Sequence, residues 1–174
     1  MFYSYLCIVT GDDCLIKTIT TMKKIAYNPD KLLSEDFRLG ELIACEAAER
    51  LNIDNTPTSW EVVFHLRQLC REVLQPLRDH VGQPVTVLSG YRCPKLNEKL
   101  HGLVASQHLL GCAADLYVPD VDTARQWYFW MVNHLDFDLL FVEHNRHGDR
   151  WLHVSYQADY HLNRHKSFFN YGKP

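Results

Sequence analysis

The chain has 174 residues, 47% of them hydrophobic and 22% charged, with 18 Lys and Arg against 21 Asp and Glu. This is the composition of one globular domain able to bury its own core, and a formal net charge of −3 gives no general electrostatic pull toward nucleic acid or an anionic membrane. The six cysteines, Cys7, Cys14, Cys45, Cys70, Cys93 and Cys112, stand singly. They lack the paired spacing of a zinc knuckle and the density of a secreted disulfide scaffold, so free, mostly buried thiols are expected.

Met1 to Thr10 is apolar and aromatic but has no basic leader, and Asp12 and Asp13 interrupt it too early for a membrane span or a signal peptide. The reading is a product made in the cytoplasm, with residues 1–30 an N-terminal arm or short strand. Met22, followed by Lys23 and Lys24, would also serve as a start. From Ser34 the pattern turns helical, with Phe37, Leu39, Leu42, Ile43, Ala47 and Leu51 on one stripe, ending in the turn Asn52 to Thr58. Thr58 or Ser59 can cap a second helix striped by Val62, Val63, Leu66, Leu69, Val73, Leu74 and Leu77. Pro76 should kink it, or end its regular part, near Glu72 to Leu74.

Val85 to Leu88 reads as a short buried strand, and Pro94 opens a short helix ending around His101-Gly102. A strand over Ala113 to Val118 and a helix from about Asp122 to His134 follow. Phe137 to Glu143 and Trp151 to Tyr156 form a hairpin closed by the polar turn His144 to Arg150. Residues 161–174, with His161, His165 and Lys166, read as a polar, solvated tail beyond a domain over 31–160. The predicted fold class is α+β, a small, mainly antiparallel sheet with flanking helices.

Ten histidines justify a search for a metal site, and two stretches place one beside a chemical partner. His108 and Asp115 flank a glycine and small residues, a loop that can fold back tightly before Asp115 enters its strand. Asp115 would face inward among Ala114, Leu116 and Val118, which is costly unless it is paired. His153 sits in an apolar strand whose alternation puts Trp151, His153 and Ser155 on one face. Taken singly, each reads as a core histidine or a turn aspartate. Together they offer two imidazoles and a carboxylate, three protein ligands with a fourth position left open.

Three motifs carry a resemblance: Leu88-Ser89-Gly90-Tyr91-Arg92-Cys93-Pro94 through Leu96-Asn97, then Ser106-x-His108-x-x-Gly111-x-Ala113-x-Asp115, then Trp151-x-His153-Val154-Ser155. In this order they resemble the zinc D-alanyl-D-alanine carboxypeptidases and L-alanyl-D-glutamate endopeptidases, peptidoglycan-cleaving metallopeptidases that include phage endolysins. The resemblance covers roughly Phe37 to Tyr156 and implies the hedgehog/DD-peptidase-like zinc peptidase fold. It implies Zn2+ held by His108, Asp115 and His153, with Arg92 binding a substrate carboxylate or carbonyl and Ser106 hydrogen-bonding the substrate. The bland alternatives are a structural salt bridge for Arg92, to Asp115 or a helix end, and a turn cap for Ser106. Two histidines and a carboxylate would also suit iron(II).

The sequence departs from the family at the general base. Many members carry an acid or histidine a few residues before the last histidine ligand, where this chain has Arg150, with Asp149 and His147 close by. In the predicted hairpin Glu143 comes nearly opposite His153 and can share its face. The order of candidates is Glu143, Asp149, His147. The expected activity is hydrolysis of an amide bond in a peptidoglycan peptide, with carboxypeptidase and endopeptidase action both open. A wall-peptide-binding module without turnover and a phage virion component are the alternatives. No nucleic-acid partner and no membrane insertion are expected, and the chain is read as a monomer. There is no Gly-rich phosphate loop and no Gly-x-Ser-x-Gly elbow. Without a signal peptide, the protein would reach the wall after release or delivery.

Overall fold

In the computed structural model, residues 27–145 and 148–169 are described. The expected N-terminal arm over Met1 to Thr21, Cys7, Cys14 and His147 lie outside those residues. Helices α1 (Leu39–Ile43), α2 (Glu46–Arg50), α3 (Trp60–Leu69) and α4 (Gln75–Val81) precede strand β1 (Val87–Ser89). Then come α5 (Pro94–Lys99), β2 (Ala113–Tyr117), α6 (Val121–His134), β3 (Leu139–His144), β4 (Arg150–Ser155) and β5 (Lys166–Phe168).

The stripe expected to form one helix from Ser34 to Leu51 is instead two short ones, broken at Ala44 and Cys45, both extended. The reason lies in the carbonyls at the break. Leu42 O accepts from Tyr91 N at 2.7 Å and Ile43 O from Asn55 Nδ2 at 2.8 Å, so long-range partners take the oxygens a continuing helix would have used. The second helix behaves as expected at its start, where the Ser59 hydroxyl accepts from Val62 N. Toward Pro76 it widens into a π-helical turn, Cys70–Leu74, and then resumes as α4 until Gly82 caps it in the left-handed region. Proline lacks the N–H that a regular turn needs, and the wider turn absorbs the defect without ending the helix.

The sheet runs β1-β2-β4-β3-β5, antiparallel throughout except for the parallel pair β3 and β5. The fold is therefore α+β with a mainly antiparallel sheet and flanking helices. One sheet face turns Ala114, Leu116, Leu140, Val142, Leu152 and Val154 into the core, beside Leu66, Leu69, Leu74 and Leu77 of the helices, all but Val142 fully buried. Each such leucine contributes about 1.5–3 kcal/mol by leaving water. The period of two then puts Asp115, His153 and Phe141 in one row across the opposite face.

The C-terminal segment departs from the expected solvated tail. Lys166–Phe168 pairs with Leu139, Leu140 and Phe141 as a fifth strand. Its side chains are largely exposed, which is why the sequence read as polar tail, but its backbone completes the edge of β3.

Candidate metal centre

Backbone register fixes half of the site. β2 and β4 pair so that Asp115 lies directly across from His153, and His153 Nδ1 comes 2.8 Å from Asp115 Oδ1. His108 arrives from elsewhere, on a 3-10 turn over Gln107–Leu110 that Gly111 closes with φ 73°. A Cβ on Gly111 would stand 2.7 Å from Val62 O, so only glycine lets the turn sit this close to α3.

His108 Nδ1 lies 2.6 Å from Gly90 O. A carbonyl can only accept, so Nδ1 carries a proton there, and Nε2 faces Asp115 Oδ1, 3.3 Å away. Gly90 is held in turn, because any Cβ there would fall on the Leu42 carbonyl. The Phe141 ring stacks on His153 at 4.5 Å between centroids. His108, Asp115 and His153 are all buried, and their donor atoms lie within 4.8 Å of one another.

Burial alone would push the Asp115 carboxyl up. Hydrogen bonds from His108 and His153, and their charges, outweigh it and hold Asp115 well below the usual carboxylate range. Arg92 adds a cation, with Nη2 on Asp115 Oδ2 and Nε on Ser89 Oγ at 2.8 Å. Its backbone N–H donates to His108 O at 3.0 Å, so the guanidinium and the first imidazole ride on one linked piece of backbone. The salt bridge weighed from sequence for Arg92 is thus present. The donor set fits zinc: two imidazole nitrogens and one carboxylate oxygen, converging in a buried cluster.

The remaining candidates sit apart. Ser106 precedes the 3-10 turn and makes no side-chain cap bond, so the alternative of a turn cap is not realised. Glu143 pairs with Trp151, and Phe141 lies directly opposite His153. The strands close at His144 and Arg150 as expected, so Glu143 comes nearly opposite His153, on the same face and one row along. Its Oε2 accepts from Trp151 Nε1 at 2.7 Å. Phe141, Glu143, His144, Trp151 and Phe168 border a groove of about 550 Å³ beside the cluster. Asp149 is exposed and turned to its own loop, where it exchanges hydrogen bonds with Asn145.

Sequence reasoning missed the holders of the site. Asn55, buried in the turn after α2, donates to Ile43 O and Tyr91 O and accepts from Cys93 N, all at 2.7–2.8 Å. Nothing in an ordinary turn asparagine announces this. The expected free thiols are found at Cys45, Cys70, Cys93 and Cys112, all buried. Burial pushes Cys112 up to about 11 and Cys70 further, so neither competes as a metal-binding thiolate.

An α+β sheet that presents a buried His-Asp-His cluster with an arginine beside it is the scaffold of a metal-dependent hydrolase. A family model described as Peptidase M15 matches residues 35–155, more than half of the chain and every motif above, and the chain belongs to that family. It is accordingly a zinc metallopeptidase by family, with a His-Asp-His site for the ion. A search of curated proteins finds no match. Among the described residues no helix is long and apolar enough to cross a membrane.

Proposed function

We propose that this chain hydrolyses an amide bond in the stem peptides of bacterial peptidoglycan, as a D-alanyl-D-alanine carboxypeptidase or an L-alanyl-D-glutamate endopeptidase of phage-endolysin type. The observation that carries the reading is the convergence of His108 Nε2, Asp115 Oδ1 and His153 Nδ1, with Arg92 alongside. In this reading these three residues hold the zinc. The ion supplies Lewis-acid polarisation of the scissile carbonyl and activation of water.

The other roles fall to side chains at the rim. The planar fork of Arg92 takes a peptide carboxylate or carbonyl, a role lysine would not fill. The Ser106 hydroxyl, uncommitted to a cap, donates to the substrate backbone. Glu143 is the general base: Trp151 Nε1 occupies Oε2, so Oε1 takes a proton from the attacking water and returns it to the leaving amine nitrogen. Asp149 and His147 follow as weaker candidates. The protein acts on the wall after release or delivery, as a monomer.

A second reading, a wall-peptide-binding module without turnover, draws support from Arg150 standing where relatives carry an acid or histidine. Zinc content and muropeptide hydrolysis decide between the two, measured on the wild type, His108→Ala and Glu143→Gln. The peptidase reading expects one zinc per chain and turnover, the metal lost in His108→Ala and only turnover lost in Glu143→Gln. Zinc without turnover in the wild type would establish the binding module, and product masses assign the bond cleaved.

A further inference from the structure

Asp138 is the one fully buried carboxylate among the described residues, and the chemistry above gives it no part. It sits just before β3, where its backbone N–H donates to Ser155 O at 2.8 Å. Its side chain gathers three donors. Arg164 Nε reaches Oδ1 at 2.6 Å, Arg164 Nη2 reaches Oδ2 at 2.5 Å, and Gln107 Nε2 reaches Oδ2 at 2.7 Å. Arg164 N adds a fourth bond to Oδ1 at 3.1 Å. A carboxylate removed from water is tolerated only with such partners, so its position and theirs fix one another.

The partners lie at telling places. Gln107 is the residue before His108 and the first of the 3-10 turn, and its carbonyl closes that turn by accepting Cys112 N at 3.0 Å. Ser155 is two residues beyond His153 on the same strand, and its hydroxyl accepts from Leu139 N at 3.1 Å. Arg164 lies past residue 155, where the family match ends, on the segment that leads into β5. It is half-exposed, and its hydrogen bonds go to Asp138. What it does is complete the charge balance of Asp138, and Asp138 in turn anchors both the turn that carries His108 and the strand that carries His153.

We infer that Arg164, Asp138 and Gln107 are positioning residues for the metal centre, so that the segment beyond the family match sets how tightly this chain holds its zinc. The inference rests on the zinc-site reading above. It assigns Arg164 an effect on His108 through Asp138 and Gln107, without contact to the ion or the substrate. Groups bonded directly to a ligand change metal affinity about 10–100-fold when removed, and a network that holds the backbone beside His108 is expected at the lower end of that range.

The test uses the full chain stripped of metal, with zinc affinity measured by chelator competition and the visible spectrum of the cobalt(II)-loaded protein as a reporter of ligand geometry. Gln107→Ala and Arg164→Ala are each expected to weaken zinc about tenfold or more and to alter the cobalt spectrum, while circular dichroism shows the apo protein still folded. Arg164→Lys, which restores the charge but not the paired bonds, should recover part of the loss. Asp138→Asn belongs to the series, but the point variants at Gln107 and Arg164 decide the matter if it fails to fold. Variants that melt earlier yet keep wild-type zinc affinity and an unchanged cobalt spectrum would make the network merely structural and overturn the inference. A wild type that binds no zinc would sink the metal reading itself and this inference with it.

Discussion

The floor of the site and the tip of the β3–β4 hairpin share strand β4 but are held in opposite ways. At the floor, Asp115 bonds to residues 7, 23 and 38 positions away, and every partner is buried or nearly so. At the tip, Asn145 and Asp149 bond to each other across four residues, in solvent. Long-range, dry contacts fix each group through its partners and make each residue depend on the rest. A local, wet turn closes the hairpin and asks little of its side chains.

The largest break in that contrast should come from Asp115→Asn. It leaves Arg92 facing a neutral amide in a buried site and removes the acceptor that both histidines share. Stripping one partner from a buried ionic cluster costs about 3–5 kcal/mol, read by urea unfolding of the apo protein, and zinc should no longer copurify. An unfolding midpoint unchanged from wild type would mean that the floor is not organised around this carboxylate. Glu143→Gln lies between the two regions and separates chemistry from stability. We expect kcat to fall about 10²–10⁴-fold with zinc retained, since amide and carboxylate occupy the same space and only the proton acceptor is lost. A variant that still turns over at the wild-type rate would pass the base to Asp149 or His147.

Gly90→Ala probes the backbone that aims His108. The added Cβ falls on the Leu42 carbonyl, which is itself committed to Tyr91 N, so the chain must shift. Overpacking of this kind costs about 1–3 kcal/mol in thermal or urea unfolding, and the displaced Gly90 carbonyl should loosen zinc as well. A neutral substitution would show that the close approach of these two chains is relaxed in solution.

These holders mark the limit of what the sequence made legible. His108, Asp115 and His153 could be named because their residue types are costly in apolar runs and their spacing matches a known pattern. Alternation placed His153 on the correct face, and helical periodicity found α3, α4 and α6. The bounds and faces of the hairpin were legible, but the residue directly opposite His153 was not, because a slip of two residues keeps every side chain on its face and leaves the hydrophobic pattern unchanged. The break between α1 and α2 was equally hidden. An apolar stripe continues across it, and only partners 12 and 49 residues distant draw the Ile43 and Leu42 carbonyls out of the helix. Asp138 could have been found by the argument that flagged Asp115, an acid against an apolar run, but its partner Arg164 lies in a stretch whose exposed side chains conceal a paired strand.

Asp138 also gives the contrast a pH signature. Burial alone would raise its pKa, but hydrogen bonds from Arg164 and Gln107, with the charge of Arg164, bring it below the ordinary value. A carboxyl depressed in the folded state stabilises the protein fully above its unfolded pKa, about 3.9, and that contribution fades as pH falls through the folded value. Thermal unfolding of apo wild type and Asp138→Asn should therefore differ most at neutral pH, with the gap narrowing below about pH 4. A gap that stayed constant down to pH 3 would mean that the charge on Asp138 is not what holds the Gln107 turn.

The smallest effect is expected at the tip, and it is the result that gives the others their meaning. Asp149 is an acid close in sequence to His153, so by position alone it competes with Glu143 as the base. Its side chain is instead exposed and turned back to Asn145, on the loop rather than on the row of Asp115, His153 and Phe141. Asp149→Asn keeps one oxygen to accept from Asn145 and should leave stability within about 0.5 kcal/mol of wild type. Muropeptide turnover should also match wild type in rate and in pH profile. A large loss of kcat here, with zinc still bound, would mean that the hairpin tip folds over the cluster when substrate binds, and the general base would move from Glu143 to Asp149.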